Sequence, residues 1–540
     1  GIGMVFISQA LYVLILINSS IILIYFFSTI LILCGIRYLF VNIKLVSETK
    51  IKWRLEKISF FTDPFYLLSI SLLVAYLLLS LGPPTNADAL HYHWGIPIYF
   101  LRHLELPPTN LWLQGSQGGV GEIFNILGIV FHTEHLGTIL QSLSLVAFCF
   151  YLANRYSNSK KNFLFLFILS SPVLLFLVST PKYQLFPQVL TALALFLTVS
   201  KKEIDKKTFF IICCLLMGAA QQKISFILTG GVVGLWALWK ASKDKKLILA
   251  IGLMCFLYFL LPKFIWNIKQ SPNTDIISFI SPLPAEYLDY LQTYRENKSW
   301  FPLNLFLPDN FGKATTVIGF QLLLLFMVRT KNKKFWEAII ITFIGMLSTY
   351  FLGVSVGRSF YEFVLWTAVA FSFLPEKDFK FRIYNFFLFV QGFVVLAGAS
   401  YGVYNLLPGI LSSEKRQEVM HRFAYEYSAV SWANEVIPEK SIVLSGLRSV
   451  SLFSNAFVPT DWLNFNPKEK KYYEVISSKK PNFLIARDGD TKISSFGVCV
   501  GEIFAGPKLF KEATRNPYNK GKNYSVTIYH FDSSMMKICK

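Results

Sequence analysis

Charged residues are scarce in this chain: Asp, Glu, Lys and Arg make up 16% of 540 residues, against 54% hydrophobic ones. With a mean hydropathy of +0.47, that excludes a soluble globular enzyme and points to a chain dissolved in lipid. Cysteine is also sparse. The seven (34, 149, 213, 214, 255, 499 and 539) show no CxxC or Cys/His spacing, and five lie inside apolar runs. No metal site or disulfide framework is implied, and the five behave as small hydrophobes. The glycine cluster Gly118-Gly119-Val120-Gly121 follows no strand and lacks a Lys-Ser/Thr pair, which argues against a phosphate-binding P-loop. The lack of a fixed-period repeat, low-complexity tract or heptad array leaves solenoids and coiled coils without support.

Long apolar runs are what the chain has. A bilayer core about 30 Å thick needs roughly 20 apolar residues per helix. Twelve candidate spans follow: 5–40 (one long or re-entrant segment), 65–83, 136–153, 162–179, 185–200, 208–221, 224–240, 247–266, 314–329, 336–352, 359–374 and 383–405. The pair within 208–240 can also be read as one broken helix. The first run lacks a basic start and a small-residue cleavage site, so it reads as an anchor rather than a removed signal peptide.

The net charge of +20 raises the question of nucleic acid, and the placement of the charges answers it. Basic residues cluster in alternate loops: Lys44 to Lys57, Arg155 to Lys161, Lys201 to Lys207, Lys240 to Lys246, Arg329 to Lys334 and Lys377 to Arg382. Those six loops hold 23 of them, whereas 84–135 holds only Arg102. Lys and Arg in short loops stay on the cytoplasmic side. Loops 84–135 and 267–313 and the tail from about 410 are therefore expected outside, with membrane lipid rather than nucleic acid as surroundings.

Any chemistry should then sit on that outer face. Gly82 to Trp94 leaves a span through the pair Pro83-Pro84 and enters an amphipathic run to about Leu104, expected to lie in the interface plane. Asp88 stands at its start, where a carboxylate is placed to act on a head group or merely to cap the helix. His91 would share its face, with Tyr92 next to it. His91 and His93, two apart, could share a metal only in an extended segment, so no metal ligand set is assigned; a divalent cation is compatible with the chemistry but not required. Glu122 opens a second helix, where it also offsets the helix dipole. Lys182, Lys223, Lys263, Lys269 and Arg358 stand near outer helix ends, against the positive-inside trend. Charge at membrane depth is costly, which makes each a functional candidate beside the plainer reading of snorkelling. Arg358 has the geometry for bidentate phosphate contact.

The arrangement resembles the GT-C superfamily of polytopic glycosyltransferases, in particular its protein-mannosyltransferase-like and aminoarabinose-transferase-like branch. The resemblance rests on Asp88-Ala89-Leu90-His91-Tyr92-His93 after a span, similar to a D-x-x-x-Y-H form of the first-loop motif. Weaker matches are Glu122 in Gly121-Glu122 to Gly128, Pro181-Lys182-Tyr183-Gln184, Lys223 after Gly218 to Gln222, and Gly357-Arg358-Ser359-Phe360-Tyr361. Ala89 stands where the protein mannosyltransferases have the Glu of an Asp-Glu pair, which leaves the acceptor class open.

The resemblance implies a polyprenyl-phosphate sugar donor, an extracytoplasmic glycan, lipid or protein acceptor, inversion at the sugar, and a bacterial inner membrane. It implies Asp88 as general base with Glu122 assisting, and His91, Tyr92, His93, Lys182, Tyr183, Lys223, Lys269, Arg358 and Tyr361 as substrate-binding residues. The expected fold is an all-α polytopic membrane protein of about 11–13 spans, with interfacial helices in the first outer loop and a small C-terminal α/β domain. The expected division is 1–409 and 410–540.

Loop 267–313 carries prolines and the aromatics Tyr287, Tyr290, Tyr294, Trp300 and Phe301, suited to an interfacial belt or to stacking on sugars. The tail turns to ordinary soluble composition, with strands expected at Ser441–Ser445, Asn482–Arg487 and Tyr524–His530 and a helix at Glu414–Ala433. It is assigned acceptor recognition or packing; Cys499 and Cys539 could pair in an oxidising compartment. In a eukaryotic secretory membrane Asn297-Lys-Ser and Asn523-Tyr-Ser would be glycosylation acceptors. A lipid-saccharide flippase and a non-catalytic membrane subunit are the competing readings. The missing half-repeat symmetry and the large asymmetric outer loops favour the enzyme.

Overall fold

The computed structural model of the chain describes residues 2–17, 22, 24–27, 29–30, 33–34, 37, 63–108, 111–113, 119–153, 156, 158–241, 244–270, 301–308, 311–351, 356–375, 381–461, 470–490, 496–519 and 521–537. The basic loop Lys44 to Lys57, Gly118, Arg155, Lys243, Lys377, Lys380, Cys539, Asn297 and the aromatics Tyr287 to Trp300 lie outside these residues, as do the side chains of Lys269 and Arg382.

Long apolar runs make the described part mostly helical. In chain order the helices are α1 (Ile2–Leu16), α2 (Pro64–Leu79), α3 (Trp94–His103), α4 (Gly121–Val130), α5 (Leu136–Ala153), α6 (Asn158–Leu169), α7 (Leu174–Leu177), α8 (Leu185–Ser200), α9 (Lys206–Gln222) and α10 (Phe226–Trp239). After them come α11 (Lys245–Phe259), α12 (Leu261–Gln270), α13 (Lys333–Phe351), α14 (Gly357–Ser372) and α15 (Phe381–Leu406). Polar caps set starts that hydropathy alone leaves vague. Asp63 accepts from Phe65 N at 2.9 Å with Pro64 in the first turn, and Asp205 accepts from Thr208 N at 2.8 Å.

By length and composition three described helices can cross a membrane: Leu136–Ala153, Lys333–Phe351 and the stretch Tyr384–Ile410. At the centre, α6 is buried from Phe163 to Leu169 and α14 from Phe360 to Ser372, as expected of helices apolar all round. The periphery is apolar too: Leu235, Trp239, Leu253, Phe351, Phe393 and Val394 are exposed, which suits a lipid surround.

Several expected spans are broken. The run 162–179 stops at Leu169 and resumes as the short α7, because Ser170-Ser171-Pro172 intervenes. The run 247–266 divides at Leu260, ahead of Pro262. Residues 314–329 form no α-helix: two 3-10 turns, Phe311–Thr316 and Gln321–Met327, flank Gly319 at φ +83°. Their backbone bonds go outward instead, with Ile318 N donating to Leu305 O and Val173 N to Val317 O. The run 208–240 is two helices meeting at Lys223, and 185–200 keeps its bounds.

Beyond α15 lie α16 (Ser413–Phe423), α17 (Tyr427–Val436), β1 (Ile442–Ser445), β2 (Ala456–Pro459), α18 (Lys470–Lys479), β3 (Phe483–Arg487), β4 (Val500–Lys511) and β5 (Asn523–Phe531). The sheet order is β2-β1-β3-β5-β4, with β2, β1 and β3 parallel and β5 and β4 antiparallel. The fold is thus a helical membrane bundle carrying a small C-terminal sheet domain. The helix expected over Glu414–Ala433 is interrupted at Glu426, which adopts φ +55°. Helix α3, expected in the interface plane, buries Trp94, Ile96, Tyr99 and Phe100 in protein, with Gly95 against Trp112. The sheet domain sits on it: Arg102 Nη1 donates to Asn455 O at 2.6 Å and Trp112 meets Phe457 edge-on at 5.6 Å.

Candidate functional site: a carboxylate among cations

Asp88 precedes one turn of π-helix, Ala89–His93, and its side chain makes no capping bond. The turn is held instead by Asn86 Oδ1, which accepts from Asp88 N at 3.0 Å. The Asp88 carboxylate is left to face three cations. Lys182 Nζ lies 3.6 Å from Oδ2, Arg358 Nη1 3.9 Å from Oδ2, and Arg448 Nη2 donates to Oδ1 at 2.5 Å. Burial pushes the carboxyl up, but Lys182, Arg448 and Arg358 outweigh it and hold Asp88 well below its ordinary range.

Each cation comes from a different element. Lys182 lies in the turn before α8, buried, and donates to Tyr92 Oη at 3.2 Å. Burial, with Arg358 alongside, lowers its ammonium to about 8 despite Asp88. Arg358 is in the first turn of α14, where Gln188 Nε2 anchors its carbonyl at 2.7 Å. Arg448 follows β1. Lys223, at the α9–α10 junction, is pushed well below its ordinary value by burial and by Lys182 and Arg358, with Glu122 and Asp88 opposing.

Glu122 takes a second place in the site. Its Oε1 lies 2.7 Å from His93 Nδ1, and its Oε2 accepts from Gly119 N at 2.7 Å. Both oxygens are engaged, so the residue orients His93 and closes the first turn of α4. Burial lowers His93 to about 4 against the opposing pull of Glu122, so the ring is neutral at pH 7. With Nδ1–H given to Glu122, Nε2 carries the lone pair, and it is buried without a partner. Gln184 Oε1, Gln222 Oε1, Thr180 Oγ1, Tyr183 Oη and Trp94 Nε1 are also buried and unpartnered. Buried polar atoms are normally satisfied, and His93 is electrostatically linked to Lys182 and Asp88, so its open Nε2 marks a place for a polar ligand.

Asp88, Tyr92, His93, Lys182, Lys223, Arg358 and Glu122 thus form one electrostatically linked group. His91 packs on Trp112, whose Nε1 donates to His91 Nε2 at 3.3 Å, so it braces the loop. Tyr183 stacks on Phe124 at 5.7 Å beneath the site. Tyr361, expected to bind substrate, is instead fully buried in the bundle and donates to Ile168 O at 2.9 Å. The sequence reading missed Arg448. The available signal was its position just past the expected strand Ser441–Ser445, after Gly446, since ligand-binding residues collect beyond the carboxyl ends of parallel strands. Among the described residues no group of three or more His, Cys, Asp or Glu side chains could hold a metal ion.

Comparison with known proteins agrees with this architecture. A family model described as the DUF1420 N-terminal domain matches residues 7–420. The crystal structure of ArnT from Cupriavidus metallidurans in the apo state is similar at TM-score 0.50 and 12% identity, covering 87% of this chain and 98% of that one. The same protein bound to undecaprenyl phosphate gives TM-score 0.49 and 13% identity, over 86% and 97%. No curated protein matches. The likeness to the apo structure shows an ArnT-like fold.

Proposed function

This chain belongs to the DUF1420 family, and from that premise we propose that it is an integral membrane glycosyltransferase. It moves a sugar from a polyprenyl-phosphate donor to an extracytoplasmic hydroxyl of a glycan, lipid or protein. The division into a membrane part, 1–409, and an outer domain, 410–540, belongs to the same reading, as does the placing of both outer loops and that domain outside a bacterial inner membrane.

The observation that carries the reading is the Asp88 carboxylate facing Lys182, Arg358 and Arg448 above a bundle with an apolar exterior. The isoprenoid tail stays in lipid while the phosphate reaches the cations. Asp88 takes the proton of the acceptor hydroxyl as the acceptor oxygen bonds to the anomeric carbon. The bond from that carbon to the phosphate oxygen breaks, and its electron pair leaves on the polyprenyl phosphate, stabilised by Lys182, Arg358 and Lys223. A single displacement inverts the anomeric centre. Glu122 acts through His93 as a positioning residue, and Tyr92 and His93 line the approach.

The test is transfer of radiolabelled sugar from a panel of polyprenyl-phosphate sugars in proteoliposomes. Asp88→Asn should lower kcat by about 10²–10⁴-fold with donor binding kept. Transfer by the variant at the wild-type rate would remove Asp88 as base.

A further inference from the structure

With three cations around it, the Asp88 carboxylate is a poor base, because a general base works best with a pKa near the operating pH and Lys182, Arg448 and Arg358 hold this one far lower. Two of the three belong to the bundle. The third, Arg448, comes from the C-terminal sheet domain, 360 residues away in sequence.

The backbone around Arg448 is pinned while its side chain is 40% exposed. Its N–H donates to Glu426 Oε2 at 2.6 Å, Ser449 Oγ donates to Tyr425 O, and Gly446 N donates to Ile485 O at 3.3 Å. Glu426 is in turn buried and paired with Arg487 at 3.3 Å. It occupies the left-handed region, φ +55°, a cost that a non-glycine residue bears only where its surroundings impose it. From the same break between α16 and α17, Tyr425 N donates to Thr85 O at 3.1 Å, three residues before Asp88. The clasp therefore joins the sheet domain to the loop that carries the carboxylate.

We infer that Arg448 is a phosphate-responsive latch: its guanidinium, held on Asp88 in the structure, moves to the phosphate when a polyprenyl phosphate binds and frees the carboxylate. The inference rests on the proposed function and deepens it. Three cations share one carboxylate, so positive charge is left over for a further anion. The donor is a phosphodiester and the departing product a monoester, so negative charge grows where the guanidinium would arrive, and a planar fork suits that oxygen pair. Glu426 is a positioning residue that sets the height of the latch above Asp88.

The test uses the full chain in nanodiscs, with undecaprenyl phosphate as probe and undecaprenol as its neutral counterpart. Arg448→Ala should weaken binding of the phosphate about ten- to hundredfold and leave undecaprenol binding unchanged. Arg448→Lys should recover part of the loss, and Glu426→Gln should fall between Ala and wild type. In the transfer assay the acid limb of kcat/KM should move to higher pH in Arg448→Ala, since Asp88 loses a neighbouring cation; a purely structural role would not move it. Arg448→Gln serves where the Ala variant does not fold. Wild-type affinity for the phosphate in both neutral variants, alongside normal transfer by the wild type, would overturn the latch and leave the glycosyltransferase reading standing. A wild type that neither binds undecaprenyl phosphate nor transfers sugar would remove that reading and the latch with it.

Discussion

Lys182 shows how one residue's surroundings set a measurable property. Its ammonium is lowered to about 8 by burial, with Arg358 adding to the shift and Asp88 opposing it. The charged form binds an anion, and a bound phosphate raises the pKa back towards its ordinary value. Affinity for undecaprenyl phosphate, whose second ionisation is complete well below pH 8, should therefore fall by up to about tenfold per pH unit above pH 8. Titration of binding from pH 6.5 to 9.5 checks this. Lys182→Arg should remove the fall, because a guanidinium stays charged throughout. Asp88 and Lys182 were legible in the sequence as ionisable groups at outer helix ends. Tyr361 looked equally eligible beside Arg358, but only three-dimensional packing shows its hydroxyl turned to Ile168 O.

At the scale of elements, the breaks place residues of the candidate site. Apolar run length located the helices well where nothing interrupts them, as at 185–200, and poorly at 162–179, 247–266 and 314–329. Hydropathy averages over a Ser-Ser-Pro or a lone glycine, whereas backbone hydrogen bonding does not. The junction of α9 and α10 places Lys223, and the loop before α4 is threaded beside it. Val120 N donates to Gln221 O at 3.0 Å, and a Cβ on Gly119 would lie 2.1 Å from Gln222 O. Backbone cannot yield as a flexible side chain would. Gly119→Ala should cost about 1–3 kcal/mol, read as a lower Tm, and should weaken phosphate binding by displacing Lys223 and Glu122 together. An unchanged Tm and affinity would show that the loop is not fixed by this approach. The interruption at Glu426 was the least legible, because a glutamate in a helical pattern gives no sign of left-handed backbone.

For the molecule as a whole, the sheet domain is tied to the bundle at several points. Arg416 forks onto Glu134 at 2.9 and 2.7 Å, Arg515 Nη1 donates to Ser179 Oγ at 2.9 Å, and Arg102 reaches Asn455 O and Phe453 O. Hydrogen bonds to charged groups contribute about 1.5–3 kcal/mol each where water is excluded. Arg102→Ala should therefore loosen the docked domain, seen as faster proteolytic release of the C-terminal part, with the transfer rate falling in step. Release at the wild-type rate would place the docking energy elsewhere. Cys499 is disulfide-bonded, which fits an oxidising compartment. A thiol reagent should label it only after reduction in unfolded protein; labelling without reductant would contradict an outer location.

The sequence by itself determined the membrane bundle and the candidate residues Asp88, Glu122, Lys182, Lys223 and Arg358, and its charge asymmetry carries the proposal that the loops and tail lie outside. Lipid solubility and charge asymmetry are sums over local composition, so they can be read without coordinates. The grouping of those residues, and the addition of Arg448, were decided by the tertiary structure. A contact between residues 88 and 448 depends on how a sheet strand, a broken helix pair and a first-loop turn pack together, and no local propensity encodes such a long-range meeting.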